Sequence, residues 1–284
     1  MTEITTIEFD LLKKLLLKIS GIEVQENKKY LFTTRLGDYL KKKGYSGFAE
    51  FYNRLVSSKD PNLQREFVQS MTTHESSFFR DIRPFTLLTN HLLPTIARAS
   101  EESARYLKPR IRILSAGCSL GQEPYTIAMC VRNWLQTQKT FTENDVTIIG
   151  IDISRRVLDR ARKGTYAQNE IGTTVPAHLQ ENFFTAGPDG LFNVTEPIRA
   201  MVRFQEHNLT QPITPLGKFD IIFCRNVIIY FPVELQKRIL NHFAGQLNRH
   251  GAFIMGSSET TYNLCDAFES VHVEDSVYFK PKVV

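Results

Sequence analysis

The run ILSAGCSLGQEPYTIAM, Ile113 to Met129, constrains this chain more than any other stretch. It reads as a strand, a glycine-bearing loop and a helix, the layout by which α/β proteins bring a ligand to a helix N-terminus. Phosphate is nevertheless a poor guest for this loop. Glu123 stands two places past Gly121, with Pro124 behind it, and a carboxylate there repels a pyrophosphate. The spacing from Gly117 to Gly121 is G-x-x-x-G, which is not the dinucleotide fingerprint. Taken alone, Glu123 is equally explained as an acid favoured by the helix dipole, with Pro124 at a first-turn position.

The flanking sequence supplies the sheet such a loop needs. From Lys108 onward, β-rich runs at 110–116, 145–154, 201–209, 219–226 and 251–258 alternate with helical stretches, and DSVYFKPK near the end adds another strand. Alternation of this kind implies a parallel sheet covered on both faces. Between Pro176 and Val202 the rhythm breaks at Gly-Pro-Asp-Gly, flanked by aromatic and β-branched residues, which predicts an antiparallel hairpin inserted in the larger domain. Up to about Leu93 the signals are helical. In the opening helix Ile7, Leu11, Leu12, Leu15, Leu16 and Ile19 are expected to share one face. The fold class is therefore α/β: an α-helical N-terminal domain, then a Rossmann-like sheet carrying a small antiparallel β-subdomain.

The whole chain has 284 residues, 42% of them hydrophobic, and a net charge of +5. That is enough chain for one large or two modest domains, and the charge gives only a mild push toward acidic partners. Cys118, Cys130, Cys224 and Cys265 form no C-x-x-C pair, so reduced thiols in a cytoplasmic protein are expected, with no zinc site and no metal. No apolar run reaches the length of a membrane span.

Ligands of open α/β sheets bind at the carboxyl ends of the strands. The polar residues gathered there are Gly117, Gly121 and Glu123 after the first strand and Asp152 after the second. Asn208 follows the third, and Arg225 and Asn226 the fourth. Asp152 suits two ribose hydroxyls, although it could also cap the next helix in competition with Ser154. Asn208 alone reads as a turn residue. Two carboxylates on one rim favour a ligand with hydroxyls and a positive charge. S-adenosylmethionine, with its ribose, ammonium and sulfonium, fits better than NAD.

These residues, together with TTHESSFFRD (72–81), GIDIS (150–154), HNL (207–209) and FCRNVIIYF (223–231), closely resemble the CheR-type chemotaxis receptor methyltransferase family over nearly the whole chain. The resemblance implies a helical substrate-recognition domain at 1–72 and a connecting segment at 73–95. It implies a methyltransferase domain at 96–284, with the β-subdomain at about 176–204. It implies that His74, Ser76 and Arg80 face the donor, Arg80 reaching its carboxylate, and that Glu123 meets its ammonium and Asp152 its ribose. Asn208 and Leu209 would flank the adenine, with Arg225 and Asn226 below, and Tyr230 would lie near the transferring methyl. His74 replaces an expected asparagine, and SLGQEP stands for the more usual STGEEP.

The activity so implied converts receptor glutamates to methyl esters, leaving S-adenosylhomocysteine. Glutamate is already anionic at neutral pH, so no general base is needed, and Arg80 and Tyr230 are assigned to orientation. Six basic residues between Lys28 and Lys43, among them Arg35, Lys41, Lys42 and Lys43, form a face able to steer an acidic receptor helix. The short hairpin implies independence from a receptor C-terminal pentapeptide. A monomer, recruited to receptor arrays in the cytoplasm without entering the membrane or binding nucleic acid, completes the expectation. Two rivals are weighed: an RNA methyltransferase, disfavoured because RNVIIYF stands where amino methylation uses Asn/Asp-Pro-Pro-Tyr/Phe, and a donor-binding adaptor without catalysis.

Overall fold

A computed structural model describes residues 3–58, 60–73, 75–103, 108–172 and 174–282. They divide into two compact units. One comprises the chain up to Thr73 together with Ile229–Gln236, and the other the remainder.

The first unit contains helices α1 (Thr6–Ser20), α2 (Gly37–Lys43), α3 (Phe48–Ser57) and α4 (Pro61–Met71). A capping box starts α1: the Glu8 amide donates to the Thr5 hydroxyl at 3.2 Å, and the Thr5 amide donates to the Glu8 carboxylate at 2.8 Å. Gly21 ends the helix at φ +77°. The buried stripe of α1 differs from the expected one, since it runs through Phe9, Leu12, Leu16 and Ser20 and leaves Ile7 73% exposed. Phe9 sets this rotation, because its ring packs edge-on against Phe32 at 5.2 Å and the largest apolar side chain gains most from burial. Phe51 joins the later helices by packing on Tyr45 and Phe67.

The second unit begins with α5 (Arg83–Leu87) and α6 (Leu93–Ser103). It continues through β1 (Ile111–Ala116), α7 (Gln122–Leu135), β2 (Val146–Asp152), α8 (Arg155–Lys163), β3 (Thr165–Ala167) and α9 (Gln168–Ile171). Next come α10 (Ala177–Phe183), β4 (Phe184–Ala186), β5 (Leu191–Val194), α11 (Glu196–Ala200), β6 (Val202–Glu206) and β7 (Phe219–Cys224). The chain closes with α12 (Val233–Gln246), β8 (Leu247–Met255), β9 (Phe268–Val273) and β10 (Ser276–Pro281).

Seven strands form the main sheet in the order β6-β2-β1-β7-β8-β10-β9. The interior strand β1 is parallel to both neighbours, with Ile113 opposite Ile148 on one side and Ile221 on the other, all three fully buried. The sheet is mixed rather than wholly parallel. Val273 pairs with Ser276, so only Glu274 and Asp275 turn the chain, and a two-residue connection forces β9 and β10 antiparallel. The GPDG hairpin forms as expected, and β3, β5 and β4 make a three-stranded antiparallel sheet. That sheet reaches back to Thr165 and ends at Val194, whereas residues 202–206 enter the main sheet as β6. Phe78 anchors it, with its ring 4.9 Å from that of Tyr166 and 5.3 Å from that of Phe184. The four cysteines are free and buried. No helix among the described residues is long and apolar enough to cross a membrane.

Candidate active site

Strand β1 delivers the chain to the rim of the sheet, and the loop that follows takes it into α7. Gly117 lies at φ +74° and its amide donates to the Ile151 carbonyl at 2.8 Å, which binds the loop to β2. A Cβ on Gly117 would fall 2.4 Å from Val227 Cγ2, so the bare glycine is what lets the loops after β1 and β7 touch. Gly121 is the N-cap of α7, placing Glu123 in the first helical turn, where the dipole favours an acid.

The Glu123 carboxylate is engaged at both oxygens. Ser115 Oγ donates to Oε1 at 2.7 Å, and Arg225 Nη1 donates to Oε2 at 3.1 Å. A carboxylate offers about four acceptor sites, so capacity for an ammonium group remains. Arg225 does more than border the rim. Its Nη2 donates to the Arg80 carbonyl at 2.6 Å and lies 3.8 Å from Asp81, while its guanidinium stands 5.5 Å over the Phe85 ring.

The segment held in this way is strained. Phe79 and Asp81 both lie at positive φ, +50° and +55°, which a bulky residue seldom adopts. The Phe79 amide is caught by Thr126 Oγ1 at 3.2 Å, and both Phe78 and Phe79 are buried. Ser76 is half-buried just upstream. Arg80 projects a guanidinium that donates to the Glu75 carbonyl at 3.2 Å and pairs with no carboxylate among the described residues. His74 lies outside the described residues.

Asp152 ends β2, where its two oxygens accept the amides of Ser119 and Ser154, each at 2.9 Å. Burial pushes its carboxyl above the usual range, against the opposing pull of those amides. Ser154, not Asp152, occupies the N-cap of α8. The His207 amide donates to the Asp152 carbonyl at 2.9 Å, which brings the Asn208 segment alongside. Asn208 Oδ1 accepts the Thr210 amide at 3.0 Å as a turn residue does, and Leu209 is buried. Asn226 follows Arg225 at φ +58°.

In the second unit Glu123, Arg225 and the backbone of Arg80 are therefore in direct contact, Asp152 holds the loop after β1 through the Ser119 amide, and Gly117 meets Val227. Tyr230 belongs to the first unit, where its carbonyl accepts the Glu23 amide at 2.9 Å. The basic face also lies there and is not uniform. Arg35 donates to the Met71 carbonyl and Thr73 Oγ1, both at 3.1 Å, and Lys43 pairs with Glu66 at 2.9 Å. Lys41 and Lys42 are exposed. Sequence reasoning passed over Ser115, Ser119 and Asp81, although the first two lie in the run 113–129 and Asp81 directly follows Arg80 in 72–81.

The donor set suits an ammonium and a vicinal diol. Two carboxylates face the rim, and Arg225 beside them is committed to Glu123. Ser119 Oγ is buried there without a protein partner. S-adenosylmethionine fits these groups and a dinucleotide does not.

Two family models cover the chain: the CheR methyltransferase all-alpha domain over residues 7–72 and the CheR methyltransferase SAM binding domain over 74–277. The chemotaxis protein methyltransferase of Vibrio parahaemolyticus is 35% identical over 92% of each chain. Chemotaxis protein methyltransferase 1 of Pseudomonas aeruginosa is 34% identical over 97% of this chain and 98% of its own. The chemotaxis protein methyltransferase of Borreliella burgdorferi is 36% identical over 90% of this chain and 89% of its own.

Proposed function

Because this chain belongs to the CheR methyltransferase family, we propose that the rim around Glu123 and Asp152 binds the methyl donor for esterification of receptor glutamates. The chain is an S-adenosylmethionine-dependent methyltransferase of chemotaxis receptors. The observation that carries the residue assignment is the Glu123 carboxylate, fixed by Ser115 and Arg225 with acceptor capacity to spare. In this reading Glu123 takes the donor's ammonium, Asp152 its ribose hydroxyls, and Arg80 with Ser76 its carboxylate. Asn208 and Leu209 border the adenine.

When bound, S-adenosylmethionine supplies a methyl group activated by its sulfonium. The protein's part is placement. An unperturbed glutamate has a pKa of about 4.3, so the receptor carboxylate arrives ionised and needs no general base. Arg80, through its hold on the donor, and Tyr230 serve orientation rather than proton transfer, and exclusion of water strengthens the attraction between opposite charges. Lys41 and Lys42 draw the acidic receptor helix toward the first unit. The short Gly187–Gly190 turn between β4 and β5 supports action without a receptor C-terminal pentapeptide. We place the enzyme, as a monomer, at receptor arrays in the cytoplasm, with no metal.

The test is transfer of radiolabel from S-adenosylmethionine to receptor cytoplasmic domains, with and without their terminal pentapeptide. Base-labile methanol release, equal in both, is the expected outcome. Label that enters RNA, or that resists base, would replace this reading with the nucleic-acid one. Donor binding without transfer would leave the adaptor.

A further inference from the structure

Glu259 lies just after β8, and its carboxylate accepts four backbone amides. Oε2 takes those of Asn226 at 2.7 Å and Gly256 at 2.8 Å; Oε1 takes those of Val227 and Ile228, each at 3.0 Å. Three of the donors are consecutive residues in the loop after β7. Successive amides converging on one anion form a nest, and this one depends on Asn226 at φ +58°, a conformation asparagine tolerates better than most residues.

The loop wound around Glu259 touches the rim at two points. Arg225, immediately before it, holds Glu123, and Val227 fills the space beside Gly117. Four amides use the acceptor sites of the Glu259 carboxylate, so its effect on a ligand must pass through the loop.

We propose that Glu259 is a positioning residue for donor binding. It is the fixed anion that sets where Arg225 meets Glu123 and where Val227 meets Gly117. The proposal rests on the reading of the Glu123–Asp152 rim as the donor site and adds to it a residue remote from the donor.

The experiment measures S-adenosylhomocysteine affinity by calorimetry and receptor methylation at saturating donor. Glu259→Gln keeps the side-chain volume but turns an amino group toward the amides, and should raise the Kd about tenfold, with the receptor KM unchanged. Gly256→Ala places a methyl 2.7 Å from Glu259 Oε2, disturbs the nest with the carboxylate intact, and should raise the Kd in the same way. In Glu259→Ala, sodium formate should recover part of the lost affinity, while having no effect on Glu123→Gln; a purely structural role would show no such anion-specific recovery. Affinity within about twofold of wild type in either Glu259→Gln or Gly256→Ala, or the absence of formate recovery, overturns the proposal. Failure of the wild type itself to bind S-adenosylhomocysteine would instead overturn the assignment of the rim.

Discussion

Arg225 Nη1 lies 3.1 Å from Glu123 Oε2, in surroundings that leave the arginine side chain 3% and the glutamate side chain 14% exposed. The same guanidinium binds the Arg80 carbonyl and approaches Asp81, so one cation joins the end of β7, the start of α7 and the strained segment before α5. Removing it leaves the largely buried Glu123 carboxylate without a cation, whereas Asp81 keeps Arg83 at 3.1 Å. Arg225→Met should cost about 3–5 kcal/mol in urea unfolding, the usual penalty for breaking a buried pair from one side. The double variant with Glu123→Gln should lose less than the sum of the singles.

Glu123→Gln keeps an acceptor for Ser115 or Arg225 but removes the charge. Donor affinity should fall about 10- to 100-fold, the worth of a hydrogen bond to a charged group, with a smaller change in melting temperature than Arg225→Met. Calorimetry with S-adenosylhomocysteine decides the matter, and an unchanged Kd would detach this carboxylate from the donor.

Gly117 and Gly44 have nearly the same backbone, φ +74° and +77°, but Gly44 has nothing within 4 Å of a new Cβ. Gly44→Ala should therefore cost only the backbone strain, about 1 kcal/mol. Gly117→Ala adds a clash with Val227 and should cost about 2–4 kcal/mol while also weakening donor binding. Thermal melts of the two variants separate strain from clash.

Lys41 and Lys42 should behave differently from their neighbours. Reversing both to Glu is expected to raise the receptor KM about 3- to 10-fold at low salt and to flatten its salt dependence, with kcat unaltered. Lys43→Glu would set a second acid against Glu66, whose carboxylate also accepts the Tyr39 hydroxyl at 2.6 Å. Arg35→Ala would release Met71 and Thr73. Those two changes should lower stability, so steady-state kinetics on the Lys41, Lys42 pair are the clean test of steering.

Burial alone would push the Asp145 carboxyl up, but the Lys108 ammonium at 2.8 Å and the hydroxyl and amide of Thr142 outweigh it and hold the carboxyl below its usual range. The folded chain thus binds this proton less readily than the unfolded chain does. Asp145 stabilises the fold fully above an unfolded pKa of about 3.9, and that contribution disappears as pH falls through the lower folded value. Asp145→Asn should be less stable than wild type at neutral pH, and the difference should close on acidification below about pH 4. Urea midpoints across pH measure it.

Most of the main sheet was legible because each parallel strand carries a continuous β-rich run and each loop a change of composition. β9 was missed because FESVHV, at a sheet edge, sets two polar residues, Glu269 and Ser270, side by side and so breaks the period-2 alternation that marks a strand. The rotation of α1 was misjudged because seven aliphatic residues compete for its inner face, and the choice is made by Phe32, more than twenty residues away in the sequence. At the rim, Glu123 and Asp152 were legible since each follows a recognisable strand. Arg225 is expected beneath the adenine by resemblance alone; its bonds to Glu123 and the Arg80 carbonyl and its approach to Asp81 join residues far apart in the chain, which no local pattern reveals. Glu259 carried no signal, because its four partners are backbone amides and backbone amides leave no mark in a sequence.

The return of Ile229–Gln236 to the first unit, with the Tyr230 carbonyl receiving the Glu23 amide, bears on how the chain is made. When Thr73 leaves the ribosome the helical unit is still missing a segment that is synthesised some 160 residues later. At about 5–20 residues per second, the nascent helices wait roughly 8–30 s for that segment. A fragment ending at Thr73 thus lacks the partner of the Glu23 amide, and that contact of the first unit forms only after most of the second has been translated.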